Sequence, residues 1–173
     1  MTEMDINIRI AKEEDVSAIT EIYNQAIELK YATADLSPVT EETRLKWLAS
    51  HTADKFPVYV AEKDGSVIGY CTISPYRPGR MALRFTREIS YYVHQDHRAQ
   101  GVASALVKYA IDQAPSLGIK TLFAIMIDKN SNSLALLQKF RFEQWGHMPN
   151  VADFDGEEVG HYYYGLRLPN KKK

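Results

Sequence analysis

Cysteine is nearly missing from this chain: Cys71 is the single one in 173 residues. An intrachain disulfide framework and a multi-cysteine zinc site are both excluded. Neither sign of charge is in excess, with 21 Lys and Arg against 22 Asp and Glu. Nucleic-acid-binding domains normally carry a basic surplus or stripe, so no nucleic-acid partner is expected. Long apolar runs are absent too. The one near the middle, Leu122 to Ile127, is far short of the ~20 residues that a bilayer-spanning helix needs, and no membrane partner is expected. The opening stretch, MTEMDINIRIAKEED, lacks the basic-then-apolar layout of a secretory signal, which favours a cytoplasmic protein. No internal repeat or low-complexity block interrupts the chain. What is there is ordinary for a globular protein, 45% hydrophobic and 25% charged residues. We expect one domain over residues 1–168, followed by a solvated basic tail at 169–173 that ends in Lys171 to Lys173.

Periodicity orders the elements. Ile6, Ile8 and Ile10 alternate with polar residues as a half-buried strand does. Val16, Ile19, Ile22, Tyr23, Ala26 and Ile27 form one apolar helical face behind an acidic first turn. Tyr31 to Val39 breaks that pattern as a loop, and Thr40 opens a second helix carrying Leu45, Trp47 and Leu48. Two β-rich runs, Val58–Ala61 and Val67–Ile73, flank an Asp64-Gly65 turn, a hairpin signal. Strands follow at Thr86–Val93 and Thr121–Ile127, the latter apolar enough to be covered on both faces. Between them lies a helix from Gly101 to Ala114, ended by Pro115. A short helix at Ser133–Phe140 and strands at Phe142–Met148 and Val159–Leu168 close the chain. The order β-α-α-β-β-β-α-β-α-β-β implies an α+β fold, a mixed sheet with helices against it.

The informative segment runs from Val93 through His97, Arg98 and Gly101 to Ser104. A strand ends, a polar loop follows, and a helix starts on small residues. Unpaired N–H groups at a helix start, beside the positive end of its dipole, are suited to phosphate oxygens. Gly101 permits close backbone approach and Ala103 keeps the helix slim. Neither a GxxxxGK[ST] phosphate loop nor a GxGxxG after the first strand is present. His94 and His97 have no third His or Cys nearby, so no metal is expected; a solvated or phosphate-side role suits them better. Cys71, in mid-strand, reads as a small core residue.

Arg98-x-x-Gly101-x-Ala103 resembles the pyrophosphate motif of the GNAT superfamily of N-acetyltransferases, and the element order resembles that fold from end to end. Ala32-Thr33, Trp47, Pro75-Tyr76-Arg77-Pro78, Arg80-x-Ala82, Thr86-x-Glu88-x-Ser90-x-Tyr92-Val93 and Asn130-x-x-Ser133 resemble its phosphinothricin-acetyltransferase-like branch. The resemblance implies a mostly antiparallel sheet of about seven strands with helices on both faces. It implies acetyl transfer from acetyl-CoA to a primary amine, without a metal, in a homodimer. For the cofactor it implies Arg98, Ala99, Gln100, Gly101, Val102, Ala103 and Ser104 around the pyrophosphate. The backbone of Tyr91, Tyr92 and Val93 would lie along the pantetheine arm, with Asn130 and Ser133 beside it. For the acceptor, a small-molecule amine, it implies Thr33, Arg77, Arg80 and Thr86. Arg77 and Arg80 would suit an acceptor carboxylate or phosphinate, and are otherwise solvated loop arginines.

Glu88 is the expected catalytic residue. An amine must lose a proton before attacking a thioester, and a carboxylate on an inward strand position can take it. The alternative is an ion pair with Arg80, Arg84 or Arg87. A backbone amide near Tyr92 or Val93 would meet the oxyanion. The sequence departs from the branch at Leu137, where a histidine or, across the superfamily, a tyrosine stands as a candidate acid. It departs again at Phe140-Arg141-Phe142 and at Ala82-Leu83. Leu137 packs against the sheet or lines the thioester channel on this reading. The expected activity is acetylation of the α-amine of a small amino acid or an analogue of the phosphinothricin, methionine sulfone or methionine sulfoximine type. A protein N-terminus or polyamine as acceptor, and a non-catalytic acyl-CoA-binding module, stay open as rivals.

Overall fold

The computed structural model of the chain describes residues 5–169; the expected tail, Lys171 to Lys173, lies outside the described residues. The strands β1 (Asn7–Ile10), β2 (Val58–Lys63), β3 (Ser66–Pro75), β4 (Thr86–Val93), β5 (Thr121–Ile127), β6 (Glu143–Phe154) and β7 (Glu157–Arg167) form one sheet. Its order is β1-β2-β3-β4-β5-β7-β6, and every neighbouring pair is antiparallel except β4 and β5. The helices are α1 (Val16–Glu28), α2 (Glu41–Ala49), α3 (Val102–Gln113) and α4 (Ser131–Lys139).

Strand alternation assigns the helices to the two faces. Val58, Val60 and Tyr70 pack with Ile19 and Ile22 of α1 and with Trp47 of α2. Their neighbours Tyr59, Ala61 and Cys71 pack on the other face with Val102, Leu106 and Val107 of α3 and Leu137 of α4. The β2–β3 hairpin turns at Asp64 (φ 50°) and Gly65 (φ 77°), two consecutive left-handed residues of the kind a tight hairpin needs. At Gly69 a Cβ would stand 3.1 Å from the Tyr92 carbonyl and 3.1 Å from Val102, so its absence lets the start of α3 dock close to β3. Among the described residues no helix is long and apolar enough to cross a membrane.

Four expectations are adjusted. The α4 helix starts at Ser131 rather than Ser133, because Asn130 caps it: the Asn130 Oδ1 accepts from the Ser133 N–H at 3.1 Å. Pro115 does not stop the preceding helix abruptly; the chain tightens into a 3₁₀ turn over Ala114–Leu117 with the proline in its first turn. The strand expected to end at Met148 runs on to Phe154. Pro149 and Asn150 hide that extension in the sequence, and the pairing with β7 shifts register between Met148 and Ala152, which an edge strand tolerates. Finally, β5 is fully buried on one face only: Leu122, Ala124 and Met126 are buried, whereas Thr121, Phe123 and Ile125 are half-buried.

Candidate active site

Parallel pairing between β4 and β5 is confined to Thr86↔Thr121, Arg87↔Leu122 and Glu88↔Phe123. Beyond Glu88 the two strands diverge, while β4 stays paired to β3 as far as Val93 and β5 to β7 as far as Ile127. The result is a wedge in mid-sheet, opening into a cavity of about 620 Å³. His94 N–H donates to the Ile68 carbonyl on β3 at 2.9 Å. By alternation Tyr92 faces β3 as well, and the backbone groups of Tyr91 and Val93 face the wedge. Of the two amides considered for an oxyanion, that of Val93 therefore faces the cavity. The Val93 carbonyl also accepts from Arg98 Nε at 3.4 Å.

The loop ahead of α3 carries left-handed residues at Ala99 (φ 57°) and Gly101 (φ 85°). Among the described residues, no acceptor is found for the N–H groups of Ala99 through Ser104. Successive free amides at the positive end of a 12-residue helix form an anion cradle. Arg98, Ala99, Gly101, Val102, Ala103 and Ser104 all lie on the cavity wall. Gln100 does not; its amide is turned away, donating to the Asp96 carbonyl at 3.0 Å. His97 lies on the wall with a buried Nδ1 that has no partner among the described residues. Opposite the loop are Asn130 and Ser133. The capping bond uses only the Asn130 oxygen, and its Nδ2 has no acceptor among the described residues. Free amides, an arginine and an open strand edge fit the pyrophosphate and amide-bearing arm of coenzyme A.

Glu88 borders the same cavity on the face covered by α1 and α2. It has no ion-pair partner among the described residues, so the arginine-pair alternative is not realised. Burial raises its pKa above the ordinary carboxylate value. Thr33 lines the same cavity, held by the Tyr23 hydroxyl at 2.9 Å, and Tyr23 in turn donates to Asp35 at 2.5 Å. Tyr92 packs edge-on against Tyr23, with ring centres 5.2 Å apart, and fixes the loop over the sheet. Arg77, Arg80 and Thr86 are not on the cavity wall. The two arginines are exposed on the β3–β4 loop, and Thr86 pairs at the closed end of the wedge.

Sequence reasoning missed three features. His161 of β7 lies on the cavity wall, its pKa lowered by burial; a single histidine in an aromatic strand gives no signal. Phe123, the register partner of Glu88, packs at a tilt on Tyr76 at 4.9 Å and edge-on against Trp145 at 5.3 Å. Arg44 is 8% exposed and has no carboxylate partner among the described residues; its guanidinium lies 3.8 Å over Trp47 and 4.5 Å over Tyr23, and donates to the Tyr70 hydroxyl at 3.1 Å. Aromatic faces replace the anion, holding α2 against the tyrosines beneath the acceptor loop. The Arg44-x-x-Trp47 step along one helical face was the available clue.

Leu137 resolves to one of its two expected places. It is 0% exposed, packed in the core between α4 and the sheet, and it is Leu136 that reaches the cavity wall. Cys71 is equally buried, and burial pushes its thiol pKa up, as suits a core residue.

Comparison with known proteins agrees with this geometry. The sequence profile of the acetyltransferase (GNAT) family matches residues 17–142. YwnH of Bacillus subtilis (strain 168), provisionally named a phosphinothricin acetyltransferase, is 38% identical, over 94% of this chain and 99% of its own. An L-methionine sulfoximine/L-methionine sulfone acetyltransferase of Salmonella typhimurium is 33% identical over 85% of both chains. A crystal structure of a phosphinothricin acetyltransferase from Sinorhizobium meliloti in complex with acetyl-CoA superposes with a TM-score of 0.89 at 28% identity, covering 95% of this chain and 89% of that one.

Proposed function

The chain belongs to the GNAT family and is an acetyl-CoA-dependent N-acetyltransferase, and we propose that it acetylates the α-amine of a small amino acid or an analogue of the phosphinothricin, methionine sulfone or methionine sulfoximine type. The observation that carries this reading is Glu88: a carboxylate without an ion pair, its pKa raised by burial, bordering the cavity on the side of Thr33.

Acetyl-CoA supplies the acetyl group as a thioester. Arg98 and the free amides from Ala99 to Ser104 bind its pyrophosphate, and the exposed edge of Tyr91 and Val93 pairs with the pantetheine arm as an added strand would. Asn130 donates to that arm through Nδ2. Glu88 accepts the ammonium proton, directly or through one water, and its raised pKa brings it nearer to neutral pH, where a general base works best. The Val93 N–H, facing the wedge, meets the developing oxyanion. Thr33, on the cavity wall, positions the acceptor. Among the described residues Glu88 is the one carboxylate on the cavity wall, which disfavours a polyamine acceptor.

A cytoplasmic homodimer completes the reading. Use of acetyl-CoA supports the compartment. Support for the dimer comes from β6, a long edge strand on which Trp145, Met148 and Val151 are 45%, 46% and 49% exposed.

Thiol release from acetyl-CoA, measured across a panel of L-amino acids, the three analogues, polyamines and N-terminal peptides, is the test. Saturable turnover with an amino acid or analogue is expected. A preference for a polyamine or peptide would overturn the acceptor assignment, and no turnover with any amine would return the weight to an acyl-CoA-binding module.

A further inference from the structure

With the acid position of α4 filled by a buried leucine, the leaving sulfur needs another partner. The wedge has two faces. Glu88, Ser90 and Tyr92 lie on the α1–α2 face, whereas Tyr91 and Val93 pack with the core on the α3–α4 face. An acceptor brought in beside Glu88 and Thr33 approaches from one face, while the arm that carries the sulfur, on the reading above, lies beside Asn130 and Ser133 on the other. On that far face the Tyr91 hydroxyl stands 2.6 Å from Ser133 Oγ, and both residues line the cavity. Ser133 sits at the first turn of α4, with its N–H tied to Asn130 at 3.1 Å. Its Oγ has no second partner among the described residues. When the serine hydroxyl donates to the tyrosine oxygen, the phenol proton is left for the cavity.

We propose that the Tyr91 hydroxyl donates the hydrogen bond that stabilises the departing coenzyme A thiolate, standing in for the α4 acid that Leu137 lacks, with Ser133 as its positioning residue. This rests on the acetyltransferase reading above. In the step, the amine nitrogen bonds to the carbonyl carbon, the C–S bond breaks, and the electron pair goes to sulfur. The amine proton goes to Glu88 and then to water, and the released thiolate takes a proton from water. Tyr91 keeps its own proton throughout. Burial raises its phenol to about 12, well above an ordinary thiol near ~8.5. Full proton transfer to sulfur would be uphill, whereas hydrogen-bond donation is available at every working pH.

The test uses the full chain with unacetylated coenzyme A as the probe, and titrates the bound thiol by its thiolate absorbance in the short-wavelength ultraviolet, read as a difference against protein alone. In the wild type the bound thiol should ionise at lower pH than free coenzyme A. Tyr91→Phe should raise its proton affinity about tenfold to a hundredfold, the range for losing a hydrogen bond to a charged group. Ser133→Ala should produce part of that change. The Tyr91→Phe kcat should fall about tenfold or more, with acetyl-CoA Kd within about twofold. Identical thiol titrations in wild type and Tyr91→Phe would overturn the assignment while leaving the acetyltransferase reading intact. A wild type that fails to bind coenzyme A would sink both. Should Tyr91→Phe fail to fold, an unchanged titration in Ser133→Ala overturns the proposal in its place.

Discussion

Leu137→His would supply the imidazole that the family resemblance leads one to expect at this position, and the structure says it should harm the protein without helping the reaction. The leucine is fully buried, and its neighbours are core side chains rather than the cavity. Removing it forfeits ~1.5–3 kcal/mol of apolar burial. An imidazole nitrogen left there without a partner adds ~1–3 kcal/mol. The sum, about 2.5–6 kcal/mol, corresponds to a Tm lowered by about 5–24 °C at the ~2–4 °C per kcal/mol typical of a domain this size. Leu137→Ala, which leaves a cavity instead of an orphan nitrogen, should cost about 2–5 kcal/mol. Calorimetric melts of the three proteins, with kcat measured well below the lowest Tm, make the comparison. Both variants should melt early, and neither should gain in kcat. A histidine variant with wild-type Tm and a kcat raised about tenfold, ~1.4 kcal/mol of barrier, would refute this. It would mean that the side chain reaches the thioester and that the wild-type site lacks a needed acid.

Glu88→Gln should lower kcat by about 10²–10⁴, the usual worth of a general base, with acetyl-CoA affinity nearly unchanged. The wild-type rate should rise with pH through the raised folded-state pKa of Glu88. Stability carries the opposite sign: the fold holds this proton more tightly than the unfolded chain does, so ionised Glu88 is a cost that is absent below the unfolded pKa and complete above the folded one. The Tm advantage of Glu88→Gln over wild type should therefore grow as pH rises across that window; a flat difference would contradict the burial assignment. Gly101→Glu places a carboxylate in the anion cradle and a side chain at φ 85°, so calorimetry should show acetyl-CoA affinity down by at least about tenfold and a Tm reflecting ~1–2 kcal/mol of left-handed strain. Arg98→Ala should weaken the same affinity with little change in Tm. Light scattering should give a dimer for the wild type and a monomer for Val151→Lys with Trp145→Glu; a monomeric wild type would dismiss the edge-strand interface.

Much of this protein is legible without its structure because its elements are locally encoded. The β-branched and aromatic content of Thr86 to Val93 and the apolar run from Thr121 to Ile127 match β4 and β5 residue for residue. Gly101 marks the start of α3, and the Asp64-Gly65 pair marks a hairpin whose turn demands two left-handed residues. Arg98-x-x-Gly101-x-Ala103 is likewise a local feature: a helix start presents its amides whatever surrounds it. Where local signals conflict with tertiary pairing, the reading falters. Pro149 and Asn150 disguise half of β6, whose pairing is imposed by β7.

The chemistry depends on relations the linear chain does not display. Divergence of β4 from β5 after Glu88 creates the cavity, and it is a property of two strands joined through α3, not of either sequence. Which of two adjacent leucines lines that cavity depends on the rotation of α4 against the sheet: Leu136 faces the opening and Leu137 the core. Arg77 and Arg80, attractive by position along the chain, end on an exposed loop, while His161, Phe123 and Arg44 come in from other elements. The Tyr91–Ser133 contact joins residues 42 apart in sequence. Side-chain pattern and turn chemistry act over a few residues and so can be read locally. A proton acceptor on one side of an open wedge and a hydroxyl pair on the other exist only once the sheet has closed around them.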